Sequence, residues 1–171
     1  MELSIRPARP EEAGFLTDLA LRSKAHWGYD AEFLASCREE LTLGGAELVG
    51  LRAAVAERDG NVVGFTTLEG EPPRGVLGMM FVDPSAIGQG IGRLLFDHTV
   101  KTAQGLGFRQ FTLDADPNAE PFDEAMGAVP VGVVPSGSIS GRTLTQYLVD
   151  VPSTPAVLLH YHWSTAWEWG V

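Results

Sequence analysis

The sequence predicts an α/β fold of the α+β kind, a mixed central sheet with an antiparallel N-terminal meander, a parallel strand pair and flanking helices. Three observations carry this. Two short β-patterned runs, Arg52 to Glu57 and Asn61 to Glu69, flank the turn Arg58-Asp59-Gly60-Asn61 and read as an antiparallel hairpin. A strand, a glycine turn, a helix and a strand then follow between Val76 and Asp114, an order that demands a right-handed crossover and parallel pairing. Hydrophobic residues at 44% and charged residues at 20% over 171 residues suit one globular core.

The elements follow in order. Leu3 to Arg6 is the first strand, stopped by Pro7. A helix starts at about Pro10, where Glu11 and Glu12 face its positive end, and Phe15, Leu16, Leu19 and Ala20 mark an apolar face. Asp30 is an N-cap for a second helix that buries Phe33, Leu34, Cys37 and Leu41. Residues 70–75 are a loop, Val76 to Val82 a strand, Gly90 to Leu106 a helix and Phe108 to Asp114 a strand. Asn118 to Met126 is a short helix closed by Gly127, and Val129 to Val134 with Thr143 to Val151 form a final strand pair.

The domain is expected to span residues 1–151, with 152–171 a C-terminal extension of unknown role. In the extension Pro152 and Pro155 precede the apolar run Val157 to Trp163, which reads as one more strand. Trp163, Trp167 and Trp169 need cover, either from the domain's own core or from the second subunit of a homodimer.

A single cysteine, Cys37, cannot form an intramolecular disulfide, and no Cys/His spacing suggests a metal. With no leader pattern and no apolar run of bilayer length, the expectation is a cytoplasmic protein without a membrane partner. Its net charge of −10 repels polyanions, which disfavours a nucleic-acid partner and suits a cationic amine.

The chemistry concentrates at Ile87-Gly88-Gln89-Gly90-Ile91-Gly92. Glycines lacking Cβ let the backbone approach a ligand, and the first N–H groups of the following helix have no partner within it, so the turn suits a pyrophosphate. A dinucleotide fingerprint would follow the first strand of a parallel sheet, and a P-loop would continue Lys-Ser or Lys-Thr, whereas Arg93-Leu94 follows here.

Val82-Asp83-Pro84, the glycine turn and Leu94-Leu95 resemble the acyl-CoA-binding motif of the GNAT superfamily of N-acyltransferases. Asp116-Pro117-Asn118-Ala119-Glu120-Pro121-Phe122-Asp123-Glu124-Ala125-Met126-Gly127-Ala128 resembles that family's next motif, and Ser23 to Tyr29 with Pro135 to Ser138 looks like a bacterial branch of it. The resemblance covers all but the tail. It implies a sheet whose parallel strands splay, acetyl-CoA as cosubstrate, and an N-acetyltransferase acting by direct attack in a ternary complex. It further implies that Phe81 and Val82 offer backbone groups to the pantetheine and thioester. Gly88, Gln89, Gly90, Gly92 and Arg93 would surround the pyrophosphate, Asn118 would bond the pantetheine, Phe122 would pack on the cofactor, and Trp27 and Tyr29 would line the acceptor pocket.

Two positions depart from the family's pattern. Ile87 stands where Gln or Arg is usual, and Asp123 stands where a tyrosine is generally held to protonate the departing thiolate. An aspartate there is expected to be solvated and ionised, and it could donate a proton only in a dry surround. Glu69, at a strand end, is the first candidate for the base, with His26 and Asp114 behind it and a chain of waters as the alternative. Ser136 and Ser138 read as turn residues. The acceptor is expected to be a small cationic amine. The alternatives are a protein or peptide N-acetyltransferase, a non-catalytic acyl-CoA sensor, and a toxin acting on charged tRNA, which the charge disfavours.

Overall fold

A computed structural model describes residues 2–153. Seven strands form one sheet in the order β1-β2-β3-β4-β5-β7-β6. They are β1 (Leu3–Pro7), β2 (Ala54–Arg58), β3 (Asn61–Glu71), β4 (Arg74–Val82), β5 (Gln110–Ala115), β6 (Val129–Pro135) and β7 (Thr143–Asp150). Helices α1 (Ala13–His26) and α2 (Ala31–Leu41) cover one face, and α3 (Ile91–Leu106) and α4 (Glu120–Ala125) the other. All strand pairs are antiparallel except β4 with β5. The expected mixed sheet with an antiparallel meander and flanking helices is what the chain adopts.

Alternation along β3 sorts the core. Phe65 is fully buried with Leu16, Leu19 and Val55 under α1, while Leu68 joins Phe96, Phe108 and Phe111 under α3. Leu16, Leu19 and Ala20 form the buried stripe of α1, but Phe15 is 47% exposed, because it lies one helical step of about 100° away from Leu16. Arg22 covers its ring instead, 5.6 Å from the centroid. In α2, Cys37 and Leu41 are buried, whereas Phe33 and Leu34 are only half-buried.

Asp30 caps α2 as the sequence suggests, its Oδ1 accepting from the Phe33 N–H at 2.8 Å. Asp30→Ala should therefore cost about 1 kcal/mol of stability. A denaturant midpoint unchanged in the variant would contradict that role.

Residues 70–75 are not an open loop. Gly70 pairs with Gly75 and Glu71 with Arg74, so β3 and β4 continue to a tight turn at Pro72-Pro73, where no ladder N–H is required of the prolines. Beside this same turn, Arg52 does not begin β2. It takes a positive φ of 48°, and its guanidinium donates to the carbonyls of Leu68 and Gly70 at 3.1 and 2.9 Å.

The residues expected to form a further strand, Val157 to Trp163, and the terminal tryptophans Trp163, Trp167 and Trp169 lie outside the described residues. Among the described residues no helix is long and apolar enough to cross a membrane.

Candidate active site

The parallel pair β4–β5 is joined only at Arg74↔Gln110, Gly75↔Phe111 and Val76↔Thr112, although β4 runs on to Val82. Beyond Val76 the two strands splay and leave an opening. The Asp83 N–H bonds the Val63 carbonyl at 2.8 Å and the Met79 N–H bonds Oγ1 of Thr67 at 2.9 Å, both toward β3. Alternation then directs the N–H of Phe81 to β3 and those of Met80 and Val82 into the opening. Of the two backbone positions expected to serve the thioester, Val82 faces the gap; Phe81 is replaced there by Met80.

Above the opening lies the glycine turn. Asp83 caps the short 3-10 turn Pro84–Ala86, accepting from the Ser85 N–H at 3.0 Å and the Ser85 hydroxyl at 2.8 Å. Burial pushes its carboxyl up, but the Arg22 guanidinium at 2.8 Å and the Ser85 bonds outweigh it and hold the pKa below the usual value. Gly88 and Gly90 take φ of 79° and 81°, the left-handed region that side chains disfavour. The backbone then enters α3. A Cβ on Gly92 would sit 3.3 Å from the Phe122 ring and 3.9 Å from Val82, so the bare glycine lets the Phe122 ring pack against the start of α3 beside Val82. Ile87, Gln89 and Arg93 are exposed.

Sequence reasoning missed Arg58, which hydrogen-bonds Gln89 through its guanidinium and brings a second cation to the turn. It lies far from the motif in sequence and reaches it only because β2 ends beside α3. The set of Cβ-free backbone, α3 N–H groups, Arg93 and Arg58 fits a pyrophosphate. Among the described residues no group of three or more His, Cys, Asp or Glu is placed to hold a metal ion.

Glu69 lies on the α1/α2 side of the sheet. The β3–β4 register shifts between Thr66 and Leu68, a bulge that places Gly78 and Met79 opposite Thr67. A Cβ on Gly78 would overlap Oε2 of Glu69 and sit 3.1 Å from Oγ1 of Thr67. The carboxylate therefore lies flat over Gly78, beside the start of the opening. Burial raises its pKa, against the lowering effect of the Thr67 hydroxyl. The two reserve candidates are placed less well. His26 is exposed at the end of α1, edge-on to Trp27 at 5.1 Å, and Asp114 is exposed on β5, accepting from Gln146 at 3.3 Å.

Tyr29 belongs to a polar cluster at the far end of β5. Its hydroxyl donates to Asp116 (2.9 and 3.0 Å) and accepts from Arg142 (3.1 Å) and from Asn118 (3.2 Å). Lys24 and Arg142 each stand 3.4 Å from Asp116. Asn118, expected on the pantetheine, is turned instead to Asp116 and Tyr29. Although burial pushes Asp116 up, the Asn118 and Tyr29 bonds and the Lys24 charge leave its pKa lowered; burial and Asp116 raise that of Tyr29. Trp27 is 48% exposed and packs on His26, not in this cluster. Ser136 and Ser138 form a turn as expected: Ser136 Oγ accepts from the N–H of Ile139 at 3.1 Å, and Ser138 bonds Glu40.

Asp123 overturns the expectation of a solvated carboxylate. It is 4% exposed because α4 is laid down against β7 and the Phe96–Phe122 contact, and burial, reinforced by Glu120, raises its pKa to about 7. Tyr147, which sequence reasoning left unremarked, is also buried and donates to Glu124 at 2.9 Å. A carboxyl group at about 7 is protonated often enough near neutrality to act as an acid.

Residues 15–127 match the acetyltransferase (GNAT) family. No curated protein matches the chain. Among solved structures, the GCN5-related N-acetyltransferase of Rhodopseudomonas palustris is similar at 28% identity and TM-score 0.72, over 88% of this chain and 98% of that one. PaiA N-acetyltransferase of Thermoplasma acidophilum, in complex with coenzyme A, has TM-score 0.74 at 18% identity, over 88% and 99%. YncA, a putative acetyltransferase of Salmonella typhimurium with its cofactor acetyl-CoA, has TM-score 0.64 at 18% identity, over 91% and 97%.

Proposed function

The chain belongs to the acetyltransferase (GNAT) family, and from that premise we propose that it transfers an acetyl group from acetyl-CoA to the primary amine of a small acceptor by direct attack. The observation that carries this is the splayed β4–β5 opening: the glycine turn lies at its mouth and the raised-pKa carboxylate of Glu69 lies beside it on the opposite side of the sheet from α3.

Acetyl-CoA supplies an activated acyl thioester. Gly88, Gly90, Gly92 and the N–H groups at the start of α3 receive its pyrophosphate, aided by Gln89, Arg93 and Arg58, while Val82 and Phe122, packed beside Gly92, contact the rest of the cofactor. The acceptor's amine arrives protonated, as a cation, and the acidic groups Glu69 and Asp114 on that face favour it. Glu69 takes the amine's proton, and its raised pKa brings its basicity nearer to neutral pH. The N–H groups of Met80 and Val82 meet the negative charge that develops on the thioester oxygen. Asp123, protonated below about 7, serves as donor to the departing sulfur in place of a tyrosine.

The test is a panel of amines with purified protein and acetyl-CoA, read as free thiol released. Amine-dependent release is expected. Acetyl-CoA binding with no release across the panel would leave a non-catalytic acyl-CoA sensor and overturn the transferase.

A further inference from the structure

On the α1/α2 side of the sheet, the cluster around Asp116 carries more positive than negative charge. Lys24 and Arg142 are both in ion-pair contact with one carboxylate, that of Asp116, so at the contact itself one unit of positive charge is left unbalanced; the next carboxylate along that face, Asp114, bonds Gln146 instead. Both cations are held rather than free: their side chains are 16% and 19% exposed. Tyr29 and Phe33 stack with centroids 4.0 Å apart, and the Arg142 guanidinium lies over them at 5.6 and 4.9 Å. Arg142 uses only Nη2, for Tyr29 and Asp116; its Nε and Nη1 donors have no hydrogen-bond partner among the described residues. A half-buried guanidinium with its fork unfilled is a receptor for a carboxylate.

Asp116 is the residue directly after β5, and continuing the strand's alternation by one step puts it in line with Thr112 and Asp114. Val76 pairs with Thr112, so Gly78, beneath the Glu69 carboxylate, is level with Asp114, and Asp116 lies two residues further on. At about 3.3 Å per residue and about 5 Å between strands, widened by the splay, Glu69 and the cluster are about 9 Å apart. Two residues of extended backbone, or an aliphatic chain of that length, span about 7 Å.

We propose that Lys24 and Arg142 bind a carboxylate on the acceptor, whose primary amine lies at Glu69, so that the acceptor is an ω-amino acid or a short peptide with a free C-terminus. The single unbalanced charge favours a monoanion over a phosphate dianion. This rests on the acetyl-transfer reading above, and it adds an anionic end to an acceptor whose reacting end is cationic.

The test is calorimetric titration of the CoA-saturated protein with N-acetyl-ε-aminocaproate and with its carboxamide. The carboxylate is expected to bind at least tenfold more tightly. Arg142→Gln should abolish that preference, Arg142→Lys should restore part of it, Lys24→Gln should weaken it, and CoA affinity should stay unchanged in all of them. Equal affinity for the two ligands, binding of neither, or a preference that survives Arg142→Gln with Lys24→Gln would overturn the carboxylate site. A stronger preference for an aminoalkyl phosphate would do the same. If the carboxylate binds as expected but neither ε-aminocaproate nor any amine or short peptide of the panel releases thiol from acetyl-CoA, the transferase reading fails and the binding site stands.

Discussion

Replacing Glu69 by Gln should lower kcat about 100-fold while leaving the KM for acetyl-CoA nearly unchanged, because the amide keeps the shape but cannot accept the amine's proton. The rate of the unsubstituted protein should rise with pH as Glu69 ionises, from a pKa that burial has raised, and that acidic limb should be missing from the variant. Gly78→Ala makes the same prediction from the other side. A methyl at Gly78 would overlap the Glu69 carboxylate, the free end of a flexible side chain, so it should displace the carboxylate with little loss of stability. The double variant should be no slower than Glu69→Gln alone, since both remove one function. An unchanged pH–rate profile in Glu69→Gln would assign the proton to water or another group.

Asp123→Asn should make the protein more stable at alkaline pH and alter it little at acid pH. Burial, reinforced by Glu120, pushes the carboxyl up to about 7 in the folded protein from the 3.8 of an unperturbed aspartate. Below the lower value it is protonated in both states, and its burial carries no ionic penalty. As pH rises from there through about 7 the unfolded chain releases the proton more readily than the folded one, and stability is lost. At about 1.4 kcal/mol per tenfold change, the full loss is on the order of 4 kcal/mol at pH of about 8. Denaturant unfolding of both proteins at acid and alkaline pH measures it. A proton donor must be protonated, so kcat should also fall above about pH 7, and Asn should remove that fall along with most of the rate. A variant with the same alkaline stability as its parent, and the same profile, would place the carboxylate in water and outside the reaction.

Much of this molecule is legible locally. The Asp30 cap, the Asp59-Gly60 turn and the glycine turn all depend on residues a few positions apart. Short-range hydrogen bonds and backbone sterics decide such features, and a sequence displays them directly. Glu69 is legible as a candidate because the sequence pattern puts it at a strand end, although β3 runs on to Glu71. Its setting is not, since the Thr67–Met79 bond and the bulge that lays it over Gly78 are made between strands.

The acceptor side was the least legible part. Lys24, Tyr29, Asp116 and Arg142 are spread across the chain and are united only where α1, the α1–α2 link, the end of β5 and the start of β7 converge. Asp123 went wrong for a related reason: its local sequence is that of an exposed helix, and burial came from β7 and α3 packing over it.

The sequence by itself thus determined the order of elements, the parallel crossover and an anion-binding turn at Gly88 to Gly92, because glycine geometry and helix-end N–H groups are local properties. Only the tertiary structure decided which carboxylates are dry. Desolvation depends on what the rest of the chain packs around a group, so the raised pKa values of Glu69 and Asp123 exist only once the strands and helices have met.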